Sequence, residues 1–257
     1  MKTWLVTGGG TGIGRATALR LAGPDHAVVI NYSRSADAAR ATAAECEARG
    51  AKVLVLAGDV SRDEDCRAMA GAIEQAFGGL NGLVNNAGTT RFAPAGDLDA
   101  VTADDFHAIY AVNVIGTWQM TRACAPMLRA AQGAVVNVSS ASALNGGGSS
   151  PAYSASKGAL NTMTMGLARA LAPDVRVNAI NPGFVETDWH IRGLGEERFD
   201  AVRKSVAQNT ALRSTLVPDD LAQAIVWMLD QPLMTGQNIT VDAGSSLGSP
   251  TSLLQKR

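Results

Sequence analysis

Apolar residues fall into two alternating patterns along the chain. Short runs with few polar interruptions lie at Trp4–Thr7, Ala27–Asn31, Lys52–Ala57, Gly82–Asn85, Ala134–Ser139, Arg176–Ile180 and Asn238–Val241. Continuous runs of this kind predict strands of a parallel sheet covered on both faces. Between them, apolar positions recur at helical spacing near Ile13–Ala22, Ala36–Arg49, Arg62–Phe77, Thr102–Ala131, Ala152–Ala172 and Asp219–Leu229. Repeated strand-helix-strand units with right-handed crossovers predict an α/β protein of the Rossmann type. The expectation is a doubly wound parallel sheet of about seven strands flanked by helices. Nothing resembling an interdomain linker or a repeat interrupts the alternation, so residues 1–257 are expected to form a single dinucleotide-binding catalytic domain.

One segment breaks the pattern. Residues 186–217 follow a strand but carry charged residues, the pair Trp189-His190 and a short helical stretch around Glu196–Ala207. A long excursion after a strand of such a sheet lies at the edge where ligands bind, which predicts a substrate lid.

Composition narrows the function classes. With 22 basic and 23 acidic residues the net charge is -1, which offers no broad basic surface for nucleic acid. No apolar run reaches membrane-spanning length, and the first residues enter a strand directly, so a cytoplasmic location is expected. Cys46, Cys66 and Cys124 are far apart in alanine-rich helical segments, and the three histidines are scattered. Neither a disulfide framework nor a metal site is expected.

Two motifs carry chemistry. Thr7-Gly8-Gly9-Gly10-Thr11-Gly12-Ile13-Gly14 joins the first strand to the first helix. Glycines there let the backbone turn tightly and approach an anion, while the helix N-terminus offers unpaired N–H groups to a pyrophosphate. The second is Tyr153-Ser154-Ala155-Ser156-Lys157, in which a phenol and an ammonium four residues apart share one helix face. A tyrosine exchanging protons near neutrality needs its phenolate stabilised by about 4 kcal/mol, roughly three pK units. A cation about 4 Å away at an effective dielectric near 20 supplies an interaction of about that size.

Taken in order, these motifs resemble the short-chain dehydrogenase/reductase family. The glycine turn matches TGxxxGxG through Thr7, Gly8, Gly12 and Gly14, and Tyr153 and Lys157 match YxxxK. Asn85-Asn86-Ala87-Gly88 follows the fourth strand, Asn113 lies on the long fourth helix, and Pro182-Gly183-Phe184-Val185-Glu186-Thr187 matches PGxxxT. Asp59-Val60 after the third strand resembles the family's adenine-contacting pair, and Thr235-Gly236-Gln237 and Val241–Gly244 extend the match toward the end. The branch it most resembles is that of the 3-oxoacyl-carrier-protein reductases.

The resemblance implies hydride transfer between nicotinamide C4 and a carbonyl or secondary alcohol. Tyr153 would be the general acid/base, and Ser140, thirteen residues before it, would hydrogen-bond the substrate oxygen. Lys157 would favour the phenolate and bind the nicotinamide ribose, and Asn113 would hold a relay water. Gly8, Thr11, Gly12, Ile13 and Gly14 would hold the pyrophosphate. Asp59, Val60, Asn86, Ala87 and Gly88, with Pro182, Gly183, Val185 and Thr187, would line the rest of the cofactor cleft.

The second strand ends in Asn31-Tyr32-Ser33-Arg34. It has no carboxylate to repel a 2′-phosphate, and Ser33 and Arg34 offer donors to one, so NADP(H) is expected over NAD(H). Three substrate readings remain open: a free ketone, alcohol or sugar; a carrier-bound 3-oxoacyl group; or none, in a catalytically silent dinucleotide-binding regulator. Pro173-Asp174 puts an acid where carrier-docking relatives often have a basic residue, and the four chemistry-bearing residues together argue against the silent reading. The family also implies a homotetramer built on its two long helices.

Overall fold

A computed structural model describes residues 1–94 and 96–248. Seven parallel strands form one sheet: β1 (Lys2–Val6), β2 (His26–Tyr32), β3 (Lys52–Ala57), β4 (Gly82–Asn85), β5 (Ala134–Val138), β6 (Arg176–Pro182) and β7 (Asn238–Val241). Their order is β3-β2-β1-β4-β5-β6-β7, so the order in which strands are added reverses between β1 and β4. The strand ends diverge at that switch point and leave a crevice.

Helices cover both faces. They are α1 (Gly12–Leu21), α2 (Ala36–Ala48), α3 (Asp63–Phe77), α4 (Ala103–Tyr110), α5 (Thr117–Ala130), α6 (Ser142–Asn145), α7 (Pro151–Leu171), α8 (Asp188–Leu194), α9 (Glu196–Asn209) and α10 (Pro218–Asp230). Residues alternating along each strand feed two separate cores. Val6, Val28, Ile30, Val136 and Ile180 meet Leu221, Ile225 and Met228 of α10 on one face. Leu5, Val29, Leu83, Val135 and Val177 meet Ile73, Met120, Cys124 and Leu128 on the other. Both faces being dry explains why the central strands show no in/out alternation in sequence. Cys46, Cys66 and Cys124 are buried and unpaired, and burial pushes their thiols up to about 11, 12 and 12 respectively. Among the described residues there is no helix long and apolar enough to cross a membrane.

The structure departs from the sequence expectation in three places. Thr7 and Ser139, expected as strand ends, lie just beyond β1 and β5, while β6 runs on to Pro182. The expected helix Thr102–Ala131 is continuous but widens into a π-helical turn at Ala111–Gly116, between α4 and α5. The excursion after β6 carries not one helix but two, α8 and α9, separated by Gly195 at φ +78°.

Candidate active site

The glycine turn sits at the switch point. Gly8 (φ +60°) and Gly12 (φ +53°) adopt backbone conformations that side chains disfavour. At Gly14 a Cβ would collide with the Gly8 carbonyl oxygen and the Asn86 amide. Thr11 precedes α1 without a side-chain cap, and the first turn holds no acidic residue. A bare helix N-terminus is thereby aimed into a cavity of about 380 Å³ bordered by Gly10, Gly12, Thr187 and Asp188.

Asn86 and Ala87 hold this turn from the neighbouring strand end. The Asn86 amide donates to the carbonyls of Thr7 (2.9 Å) and Gly8 (3.1 Å), while the Asn86 and Ala87 N–H groups donate to Thr7 Oγ1 at 2.9 and 3.0 Å. Asn31 does the same from the other side, accepting from Gly8 N at 3.3 Å and donating to Gly58 O at 3.0 Å. The Asn31 and Asn86 side chains brace the turn. Asp59 Oδ1 accepts from the Ser61 N–H at 2.9 Å and from its hydroxyl at 2.7 Å. Val60 is buried, its carbonyl accepting from Gln119 at 2.9 Å. Ser33 and Arg34 stand exposed at the end of β2, and Arg34 makes no ion pair with another described residue.

The second half of the site gathers where β4, β5 and α7 meet. Helix α7 starts sharply because Ser150 caps it, accepting from Tyr153 N at 3.2 Å, and Pro151 supplies a fixed φ. Tyr153 and Lys157 therefore occupy the first two turns of the helix. Ser139, past the end of β5, is buried and donates to Lys157 O at 3.1 Å. Its neighbour Ser140 is partly exposed, stands beside the phenol of Tyr153, and accepts from Ser142 N and Oγ at 3.1 and 2.9 Å.

Lys157 is only 4% exposed, and its ammonium donates to Val138 O at 2.8 Å. Burial lowers its pKa to about 8 and raises that of Tyr153 to about 12, with the Ser140 hydroxyl pulling the phenol the other way more weakly. Desolvation thus dominates, and the phenol is protonated at neutral pH.

Asn113 is fully buried inside the π-helical turn. Its Oδ1 accepts from Thr89 N at 2.8 Å, and its Nδ2 donates to Thr89 O and Ser156 Oγ, both at 3.0 Å. Both amide protons are thus used within the protein. The amide ties the loop after β4 to α7. A Cβ at Gly88 would lie 3.4 Å from Asn113 Oδ1 and 3.8 Å from both Lys157 Nζ and the Trp189 ring.

The segment after β6 closes the cleft. Gly183 N donates to Val241 O at 2.9 Å, and a Cβ there would press on Asp242. Val185 is buried, bridging to Leu216, and Thr187 starts α8 with its methyl packed toward Gly12. Trp189 stands against Tyr153, ring centroids 6.3 Å apart at 60°. Phe92, which sequence reasoning missed because it lies in an unpatterned loop, meets His190 at 6.4 Å. Sequence-predicted Gly8, Gly12, Gly14 and Thr187 thus meet on one side of the crevice, and Gly88, Asn113, Ser140, Tyr153 and Lys157 on the other.

A switch-point crevice with a phosphate turn on one side and a buried phenol-ammonium pair on the other suits an oxidoreductase that works with a nicotinamide dinucleotide. Comparison with known proteins gives the same class. A family model described as short chain dehydrogenase matches residues 2–194. A protein of Streptomyces violaceoruber, provisionally named ketoacyl reductase 2 of the granaticin polyketide synthase, is 40% identical over 95% of both chains. A solved structure from Burkholderia xenovorans, provisionally titled a short-chain dehydrogenase/reductase, is 38% identical with a TM-score of 0.89, covering 96% of this chain and 99% of that one. A short chain dehydrogenase from Burkholderia cenocepacia, solved in complex with NADP, is 35% identical with a TM-score of 0.85, covering 95% and 98%. The chain belongs to the short-chain dehydrogenase/reductase family and is an oxidoreductase acting on CH–OH or C=O groups.

Proposed function

We propose that this protein is an NADP(H)-dependent carbonyl reductase in which Tyr153 is the general acid/base. The observation that carries the reading is the buried Tyr153–Lys157 pair with Ser140 beside it, across the crevice from the glycine turn. The residues present fit the cofactor: Gly14 has no room for a side chain, and the uncapped start of α1 offers N–H groups and a positive dipole end to a pyrophosphate. Gly8, Thr11, Gly12, Ile13 and Gly14 would hold that group, and Thr187 with Gly88 would flank the nicotinamide. When bound, the cofactor supplies or accepts the hydride.

The chain's own residues manage charge and protons. Ser140 hydrogen-bonds the substrate oxygen as negative charge develops on it. Tyr153 then donates its proton to that oxygen, and burial keeps the phenol in the donor form, which suits reduction. The resulting phenolate faces Lys157, whose Nζ is 5.6 Å from the ring centroid and worth about 3 kcal/mol at an effective dielectric near 20. Lys157 would also bind the ribose hydroxyls, and Asn113 holds α7 against the loop after β4.

Arg34 and Ser33, unopposed by a carboxylate, support NADP(H) over NAD(H), as does the relative solved with NADP. A carrier-bound 3-oxoacyl substrate is the second reading, favoured by the name of the Streptomyces relative. Residues 186–217 would serve as the lid. Phe106, Ile115 and Trp118 on the α4–α5 rod and Met165 on α7 are exposed, which supports a homotetramer through these helices. NADPH oxidation measured with free ketones and with an acetoacetyl thioester tests the activity and separates the two substrate readings. Absence of turnover with every carbonyl would overturn it, and light scattering at four times 26.5 kDa checks the assembly.

A further inference from the structure

Resting on the carbonyl-reductase reading, we infer that Trp189 is a specificity-determining residue that selects apolar ketones bearing a flat, aryl or conjugated, substituent, and that Phe92 seated on Gly193 holds it in place.

The seat is steric. Gly193 lies within α8, and a Cβ on it would overlap three ring carbons of Phe92, so the ring rests on bare helix backbone. The same ring meets His190, which stacks on Phe184 at 4.6 Å, and Phe184 meets Phe199 at 5.9 Å. The loop carrying Phe92 is itself fixed, with Ala93 N donating to Ser149 O at 2.9 Å and Thr90 bonded to Ser149 through their hydroxyls. Helix α8 is thus clamped at one height over the crevice, and Trp189 is placed by that height.

The placement decides which substituent fits. Rings with centroids 6.3 Å apart are in direct contact. A planar group interleaved between two rings would need faces roughly 7 Å apart, twice an ordinary carbon contact. The substrate therefore reaches Tyr153 from the Ser140 side, with one substituent lying along the indole. The aromatic cluster behind the indole is uncharged. Phe92, Phe184, Phe199 and Trp189 carry no charge, and burial holds His190 below its ordinary pKa while its Nδ1–H donates to Val185 O at 2.9 Å. Nothing in this cluster pairs with a carboxylate or phosphate on the substrate.

The test compares kcat/KM for acetophenone and 2-octanone, which have equal carbon counts, with NADPH. The wild type should favour acetophenone, and Trp189→Ala should lower the acetophenone/2-octanone ratio by about tenfold, the size of one aromatic contact. Trp189→Phe should keep the ratio within about threefold, Phe92→Ala should lower it in the same direction as Trp189→Ala, and NADPH affinity should be unchanged in all three. A ratio unmoved by Trp189→Ala, or a wild-type preference for 2-octanone, would overturn the inference. Turnover of an acetoacetyl thioester with neither ketone reduced would overturn it while leaving the reductase reading intact. The absence of NADPH oxidation with any carbonyl would overturn both.

Discussion

Lys157 Nζ stands 5.6 Å from the centroid of the Tyr153 ring, yet its short hydrogen bond, 2.8 Å, goes to the carbonyl of Val138. The lysine is thus anchored to the end of β5, and its charge reaches the phenol through space. Anchoring separates two roles that the spacing of the motif merges: where the cation sits, and what it does when a phenolate forms.

Tyr153→Phe removes the transferable proton and leaves the ring contact with Trp189 in place. Turnover should fall by about a thousandfold or more, in the range a single general acid contributes, and the developing alkoxide also loses its donor. NADPH binding followed by fluorescence should be unchanged. Near-normal turnover would remove Tyr153 from the mechanism.

The Lys157 pKa of about 8, against 10.5 in a free chain, has a definite sign. Between those values the unfolded chain keeps a proton that the native state has lost, so stability rises with pH across that window. At pH 7 the buried charge costs about 3 kcal/mol, by 1.36 kcal/mol per unit. Tyr153, raised to about 12, acts oppositely and only above pH 10. Urea denaturation of wild type and Lys157→Met should show the wild type gaining about 2 kcal/mol on the variant between pH 7.5 and 9.5. Parallel curves would show that the lysine titrates normally.

Gly14→Ala places a methyl group on the Gly8 carbonyl oxygen, which is backbone, and on the Asn86 side-chain amide, which two hydrogen bonds hold in place. The turn must open, breaking the bonds from Asn86 to Thr7 and Gly8. Calorimetry should show a loss of about 2 kcal/mol or more, and NADPH affinity measured on the still-folded fraction should fall at least about tenfold. Unchanged affinity would exclude this turn from the phosphate site.

Arg34→Ala tests the cofactor preference. Removing a forked cation from a 2′-phosphate costs about 1.5–3 kcal/mol, so the NADPH/NADH ratio of kcat/KM should drop by about tenfold or more with NADH kinetics unchanged. An equal loss with both cofactors would place Arg34 elsewhere.

The sequence made the sheet legible because parallel strands buried on both faces leave continuous apolar runs, and it made the site legible because the glycine turn and the Tyr153–Lys157 spacing are local. What it hid was long-range. The π-helical turn is invisible to periodicity because Asn113 is held by Thr89 and Ser156, which come from other elements. Helix α8 was hidden by Gly193, a helix-weakening residue whose reason is Phe92, a hundred residues earlier. Asn31, Asp59 and Asn86 were found as motif positions, but only their partners show that their side chains hold backbone in place.

The wide turn at Ala111–Gly116 also acts as a phase-setting spacer. Beyond it, Met120, Cys124 and Leu128 fall on the face of α5 that meets the sheet, while Trp118 faces outward beside Arg122. Each residue of a helix advances the phase by about 100°. The same six residues wound at ordinary pitch would over-rotate α5 by about that angle and carry its apolar face off the core. The width of the turn is therefore fixed from both ends, by Asn113 and by the packing of a helix that never touches the reaction.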